Sequence, residues 1–318
     1  VKKLAFVLGL TMTAGLAHAQ YPNKPIRIIV PYAAGGAADI TARVVTQKMS
    51  EQMGVPLVVE NKGGANGNIG TDTVAKAVPD GYTILLAASG PIVVNQALYK
   101  LPYDPLKDLL PITQLTSYQY ALVVAANSPV QSVTQLVEMA KTRPGGISYG
   151  STGIGGGGHL AGEKFASLTG TKLTHVPYKG NAPALTDVLS GQLSFTFDTV
   201  VTAAPHIASG KLRAYAVSGP KRASALPQLP TMAELGYRDF SVTQFQGLLA
   251  PAKTDPAIIE RLRAEAVKAL KSPDVIKRLA TDGGNDIVGS TPAEFAKLIR
   301  EESAEYGRLI REANIKAE

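Results

Sequence analysis

The residues best placed to do chemistry in this chain are glycines at the ends of apolar runs. Three turns carry them: Tyr32-Ala33-Ala34-Gly35-Gly36, Asn61-Lys62-Gly63-Gly64-Ala65-Asn66-Gly67, and the stretch from Tyr149 through Gly158. Each follows a short apolar run and precedes a segment with helical spacing. A turn in that place presents free backbone N–H groups at a helix N-terminus, where the helix dipole favours an anion. Glycine lets the backbone approach a ligand closely and adopt any φ. Any one such turn also serves as a plain tight connection. Two of them facing each other would make a cradle for a negatively charged group.

Other chemistries are excluded by what is missing. Gly153, Gly155 and Gly158 satisfy the spacing GxGxxG, but a dinucleotide site needs an acid about twenty residues on. The next apolar run ends Val176-Pro177-Tyr178-Lys179, with no acid. There is no GxxxxGKS/T loop, no HExxH and no GxSxG. Cysteine is absent, which removes disulfides, thiol nucleophiles and cysteine-ligated metals. The four histidines, at 18, 159, 175 and 206, are too scattered for a metal site. Ser151 precedes His159 in sequence, but a triad is defined by geometry and not by that spacing. His159 reads as a helix N-terminal residue bonding its own turn, and Asp39 as a carboxylate complementing the start of its helix. No cofactor is called for. The net charge of +7 is small and dispersed, so it is no nucleic-acid footprint.

The elements that must position these turns alternate. Ile26 to Val30 is a strand, Ala37 to Met53 a helix ending at Gly54, Leu57 to Glu60 a strand, Ile69 to Val78 a helix and Tyr82 to Ala88 a strand. The rhythm restarts with helix Val133–Lys141, strand Ile147–Tyr149, helix His159–Leu168, strand Leu173–Pro177, helix Ala182–Ser190 and strand Leu193–Phe197, then Leu212 to Val217. Such alternation implies α/β lobes with mainly parallel sheets. A chain of 318 residues exceeds what one core usually fills, so two lobes are expected, joined by the β-prone stretch Ile112 to Ala126. A helix starts at Thr254-Asp255-Pro256. Another starts at Thr291-Pro292-Ala293-Glu294, whose threonine and glutamate form a capping box. Its stripe of Phe295, Leu298, Glu302, Tyr306 and Leu309 should pack back onto the first lobe. Ahead of all this, Lys2-Lys3, the apolar run Leu4 to Leu16 and Ala17-His18-Ala19 have the anatomy of a secretory signal peptide cut before Gln20 or Tyr21. No cysteine follows to carry a lipid anchor, so a soluble protein outside the cytoplasm, in a periplasm, is expected.

Taken together the motifs resemble one family, the Bug-type receptors of tripartite tricarboxylate transporters. Val30-Pro31-Tyr32 through Arg43 is similar to the family opening VP(F/Y)xxGGxxDxxAR. Glu60 through Gly70 resembles its second glycine block, and Asp80-Gly81-Tyr82-Thr83-Ile84-Leu85 its third-strand signature. Tyr178-Lys179-Gly180, Ala182-Pro183-Ala184, Gly191-Gln192 and Leu229 through Gly236 extend the match over the mature chain. Two departures fall near the cleft: Ala33-Ala34 where the family has two prolines, and Phe245-Gln246-Gly247 where it often has Trp-x-Gly.

The resemblance implies a type II periplasmic-binding fold. One domain would run 21–121 plus 241–318 and a second 122–240, closing on ligand about strands near 118–124 and 238–245. It implies capture of a small carboxylate, organic, aromatic or dicarboxylic, by a monomer that delivers it to membrane transporter subunits. No enzyme activity, metal or nucleic acid is involved. Carried over by motif, the first-lobe contacts would be Tyr32, Ala33, Ala34, Gly35 and Gly36, with Ser89 and Gly90. The other lobe would supply Ser151, Thr152, Gly153 and Gly157, with His159 nearby. Asp198 and Thr199 would read the distal end of the ligand, with Asp198 suited to an amine, a hydroxyl or a carboxyl reached through water, or simply to capping the next helix. A ligand-presenting sensor for a membrane kinase and an exported enzyme on the same fold are the alternatives.

Overall fold

The computed structural model describes residues 21–312. The expected leader, with its cleavage site at Ala17 to Gln20, lies outside the described residues, and so does the side chain of Leu309. The alternating elements appear in the expected order. β1 (Ile26–Val30), α1 (Ala37–Met53), β2 (Leu57–Asn61), α2 (Asn68–Ala75) and β3 (Thr83–Ala88) build the first lobe. β4 (Leu109–Ala125) follows, and then α3 (Val133–Thr142), β5 (Ser148–Ser151), α4 (Gly157–Thr169), β6 (Thr174–Pro177), α5 (Asn181–Leu189), β7 (Phe195–Thr199), α6 (Val200–Ala208) and β8 (Leu212–Val217) build the second. β9 (Thr243–Pro251), α7 (Pro256–Leu270), α8 (Pro273–Ile276), β10 (Asp286–Ile287) and α9 (Pro292–Glu312) return to the first.

In the first lobe β1 pairs in parallel with β2 and β3. In the second, β5 pairs in parallel with β6 and β7. The fold is thus the mixed α/β, two-lobed arrangement expected, with one feature that alternation alone does not reveal. The 17-residue β4 serves both sheets. It pairs antiparallel with β9 from Leu109 to Gln119, then with β7 and β8 from Tyr120 onward. β9, which has no counterpart in the alternating series, is antiparallel to β3 as well. β4 is therefore the strand that passes from one sheet to the other, with β9 beside it in the first.

Each lobe has its own apolar core. Ile26, Ile28, Val30, Ala42, Val45 and Met49 pack with Leu262 and Ala266 of α7, so both amphipathic helices bury their stripes against the first sheet. Tyr149, Phe165, Phe195, Phe197 and Phe240 fill the second. The tail packs onto the first lobe, with Phe295 edge-on to Phe245 at 5.1 Å. Its capping box is formed: Glu294 accepts from the Thr291 N–H at 2.8 Å and Thr291 Oγ1 accepts from the Glu294 N–H at 3.2 Å. Among the described residues no helix is long and apolar enough to cross a membrane.

Candidate functional site

The glycine turns line the seam between the lobes: the Gly35–Gly36 turn faces Asn181 and Ala182 at the start of α5, and the turn from Gly153 to Gly156 faces Asn66 and Asn95. In the first lobe Gly35, at φ +79°, precedes Gly36, the N-cap of α1, which offers no side-chain cap. The Asp39 carboxylate accepts the Gly35 N–H at 2.9 Å and pairs with Arg43, also at 2.9 Å. Burial opposes ionisation there, but the hydrogen bonds from Arg43 and Gly35 outweigh it and hold Asp39 below the usual carboxylate range. Asp39 is spent on the turn and faces away from a ligand. The first N–H groups of α1, at Ala37 and Ala38, are left free at the cleft.

In the second lobe Gly156 is the N-cap of α4, again with no side-chain cap. His159 Nδ1 accepts the Gly155 N–H at 3.0 Å, as a residue bonding its own turn should. Ser151 Oγ lies 2.6 Å from His175 Nε2, and the rings of His159 and His175 are 4.2 Å apart. Burial and the neighbouring His159 hold His175 down to about 3, and burial also lowers His159, so both rings are neutral bases. This serine–histidine contact is one the sequence spacing did not suggest. It braces the turn: Ser151 Oγ also accepts from the Gly153 N–H at 3.1 Å.

The lobes touch on both sides of the cleft. The Ala33 N–H donates to the Lys179 carbonyl at 3.0 Å, and the Tyr99 hydroxyl to the Ile154 carbonyl at 3.3 Å. A Cβ at Gly153 would lie 3.3 Å from Asn66 Cβ, so that turn rests directly on the second glycine block.

Between these contacts lies a small, largely enclosed cavity of about 20 Å3. Tyr32, Ala37, Ala38 and Ala88 line it from the first lobe, and Thr152 and Asn181 from the second. Its floor is Tyr118 and Tyr120 of β4 with Gln244 and Gln246 of β9. None of these residues carries a charge. Burial raises Tyr32 and Tyr120 far above the ordinary phenol range and Tyr118 to about 12, so all three stay O–H donors. The Tyr32 hydroxyl has only long contacts to Asn66, at 3.4 and 3.5 Å.

Of the residues named from sequence, Tyr32 and Thr152 line the cavity, and Gly36 and Gly157 begin the helices that point at it. Ala34 and Gly35 lie exposed at the cleft mouth, and Ala33 is occupied with Lys179. Ser89 is buried and accepts the Phe245 N–H at 3.0 Å, bolting β9 to the first lobe. Gly90 leaves room for Asn66 and Tyr32. Asp198 is turned onto its own surroundings: Thr202 donates to it at 2.6 Å and Asn181 Nδ2 at 2.7 Å. Burial, only partly offset by those bonds, pushes it up to about 6. Thr199 holds the N-cap position of α6 without a side-chain cap, its hydroxyl 2.6 Å from that of Thr202. Asn181 therefore stands between Asp198 and the cavity.

Ala37, Ala38, Ala88, Tyr118, Tyr120, Asn181, Gln244 and Gln246 were not found from sequence. The usable signal was polar side chains recurring at period two on otherwise apolar strands, in Tyr118-Gln119-Tyr120 and Gln244-Phe245-Gln246.

A family model described as "Tripartite tricarboxylate transporter family receptor" matches residues 41–315. The chain is 36% identical over 321 residues to Protein BugT of Bordetella pertussis, covering 99% of this chain and 98% of that one. It is similar to the structure of periplasmic binding protein BugD, with TM-score 0.89 and 34% identity over 94% of this chain and 100% of that one. MatC of Rhodopseudomonas palustris with bound malate superimposes with TM-score 0.87 and 30% identity, covering 91% and 100%. An R. palustris protein with adipate gives 0.89 and 32%, covering 93% and 99%.

Proposed function

The chain belongs to the tripartite tricarboxylate transporter receptor family, whose members are solute-binding receptors and not enzymes, and from that premise we propose that it captures a small carboxylate in the cleft between its lobes. The observation that carries this reading is the N-terminus of α1, without a side-chain cap, whose Ala37 and Ala38 line an uncharged cavity rich in hydroxyl and amide groups, with the likewise uncapped start of α4 packed against the Tyr120 and Gln244 that floor it. Free N–H groups and aligned helix dipoles stabilise an anion without a salt bridge. No lysine or arginine lines the cavity to supply one.

In this reading the N–H groups of Ala37 and Ala38 and the Tyr32 hydroxyl take one carboxylate. Thr152, Asn181 and the start of α4 take the group facing the second lobe. Because ligand contacts on both sides favour the closed arrangement, β4 and β9 would act as the hinge. Malate and adipate in two similar structures support a dicarboxylate. Release would be to membrane subunits of a tripartite transporter, with the receptor a monomer in the periplasm.

A thermal-shift screen of mono-, di- and tricarboxylates tests the reading. At a hundredfold excess over Kd a true ligand adds about 2.7 kcal/mol to stability. A screen in which sugars or cations stabilise the protein and no carboxylate does would overturn it. Co-purification with the membrane subunits, dependent on the same carboxylate, tests the delivery step.

A further inference from the structure

Beside the seam a second and larger space is built by both lobes. A groove of about 280 Å3 runs between α1, α5, α6 and the turn Lys277–Thr281 that follows α8. Its lining is mostly apolar. Ile40 borders the core of the first lobe, Leu185 and Leu189 the core of the second, and Val201 and Pro205 of α6 complete the wall. Of the residues lining the groove, Arg278 is the one with a fixed charge, and it is partly buried. Among the described residues its guanidinium makes no ion pair and no hydrogen bond. The acids on its own segment are committed to other cations, Asp274 to Lys48 at 3.0 Å and Asp282 to Lys277 at 2.7 Å. Asp198 lies behind the wall, buried and accepting from Thr202. Ligand pockets have this composition, apolar with a few placed polar groups. A guanidinium held against apolar side chains with no anion beside it can gain a charge-assisted pair from an anion supplied from outside.

We infer that this groove is a second ligand site, separate from the central cavity, for a monocarboxylate with an apolar tail. The carboxylate pairs with Arg278, and the tail lies along Ile40, Leu185, Leu189 and Val201. This chemistry is the reverse of the central cavity, which is small, uncharged and lined by hydroxyl and amide groups. A dicarboxylate would set its second charge against the apolar wall, and a sugar would leave hydroxyls unmet there. An alcohol of the same length keeps the tail contacts but gives Arg278 no charge. Because the two walls belong to different lobes, an occupant touches both and favours the arrangement that brings them together. It therefore acts with a ligand in the central cavity and not against it.

Isothermal titration with octanoate, butyrate and octanol is the test. The wild type should bind octanoate at least about tenfold tighter than butyrate, since the longer chain takes more methylene out of water. It should also prefer octanoate to octanol by about tenfold or more, the scale of one hydrogen bond to a charged group. Arg278→Gln should weaken octanoate by about tenfold or more, and Arg278→Lys, which keeps the charge, by less. Thr186→Glu places an acid on the exposed rim of the groove without touching either core, and it should weaken octanoate as well. Neither Arg278→Gln nor Thr186→Glu should alter binding of malate, used as the probe of the central cavity, and malate should not displace octanoate. Circular dichroism melts establish that each variant is folded. Octanoate affinity unchanged in both Arg278→Gln and Thr186→Glu would overturn the inference. Competitive displacement of octanoate by malate, or no saturable octanoate binding by the wild type, would do the same.

Discussion

Gly35 and Gly155 hold equivalent places in the two lobes, and their surroundings differ in a telling way. Each has φ near +80°, at +79° and +80°. Each is followed by a glycine N-cap, and each gives its N–H to the third residue of the helix that follows. In the first lobe that residue is an ionised aspartate neutralised on its outer side by Arg43. In the second it is a neutral histidine, 6% exposed and stacked on another histidine. The backbone geometry needs only an acceptor at that point, and the surroundings decide its charge. Asp39 is itself only 4% exposed, and Arg43, whose side chain reaches solvent, supplies the neutralising charge. In the second lobe the neighbours are His175 and the Glu163 carboxylate, 3.8 Å from His159 Nε2, so a carboxylate in place of His159 would stand beside a like charge.

A sharper contrast is the first residue of each helix, Ala37 in one lobe and Gly157 in the other. A Cβ at Gly157 would run into the Tyr120 hydroxyl and approach Gln244 Cδ to 2.5 Å. Gly157→Ala should therefore weaken carboxylate binding about thirtyfold or more, equivalent to about 2 kcal/mol of overpacking. Ala37→Gly should leave affinity within about threefold and lower stability by about 1 kcal/mol, as glycine does in a helix. Calorimetry on the pair checks this, and equal losses in both would mean the lobes are not differentiated at this position.

The next comparison is between the positive-φ glycines themselves. Gly155→Ala and Gly35→Ala should each cost about 1–2 kcal/mol of stability through the left-handed backbone alone. Only at Gly155 would the new methyl also press across the cleft, 2.7 Å from Leu98 Cδ1 and 3.0 Å from Asn95 Oδ1, whereas at Gly35 it meets Ala182 Cβ at an ordinary 3.6 Å. Small-angle scattering at saturating ligand should show Gly155→Ala more open than wild type and Gly35→Ala unchanged.

Acid should separate the lobes more gently. His159 and His175 have lowered folded pKa values, so the stability they contribute is full above the ordinary imidazole pKa near 6.5 and falls as pH drops below it, since the unfolded chain takes up protons the folded one refuses. Asp39 is lowered from the carboxylate range, so its contribution stays until the pH falls below about 4. Melting temperatures across pH 3–7 should show His159→Asn, which keeps an acceptor, reducing the loss between pH 6.5 and 4. Asp39→Asn should alter only the more acidic limb. The smallest effect belongs to Arg43→Ala: its side chain is half exposed and points out of the cleft, so stability should fall by about 0.5 kcal/mol and affinity by less than about twofold. A large loss of affinity there would show that an ion pair, and not backbone N–H groups, anchors the ligand.

Much of this molecule is written locally. The alternation of strand and helix, the Gly54 cap of α1, the capping box of Thr291 and Glu294 and the glycine turns were all legible, because each depends on interactions within a few residues. The same holds for the family motifs, which are runs of adjacent residues. The floor of the cavity is different. Tyr120 and Gln244 are 124 residues apart and touch because β4 and β9 pair antiparallel up to Gln119 and Thr243. Ser89 Oγ meets the Phe245 N–H across 156 residues because β9 also pairs antiparallel with β3. Period-two spacing says that Gln244 and Gln246 share a face of a strand, but it does not say whether that face meets a core, solvent or a cleft. That choice is made by the antiparallel register of β9 against β3 and β4. Asp198 shows the limit from the other side: its place at the end of β7 suggested a ligand contact, whereas the carboxylate is buried and accepts from Thr202 and Asn181. Sequence alone determined the elements and the backbone turns that end them, since those follow from local sterics and hydrogen bonding. Which side chains share the cavity was decided only by long-range strand pairing and by the cost of leaving buried polar groups unmet.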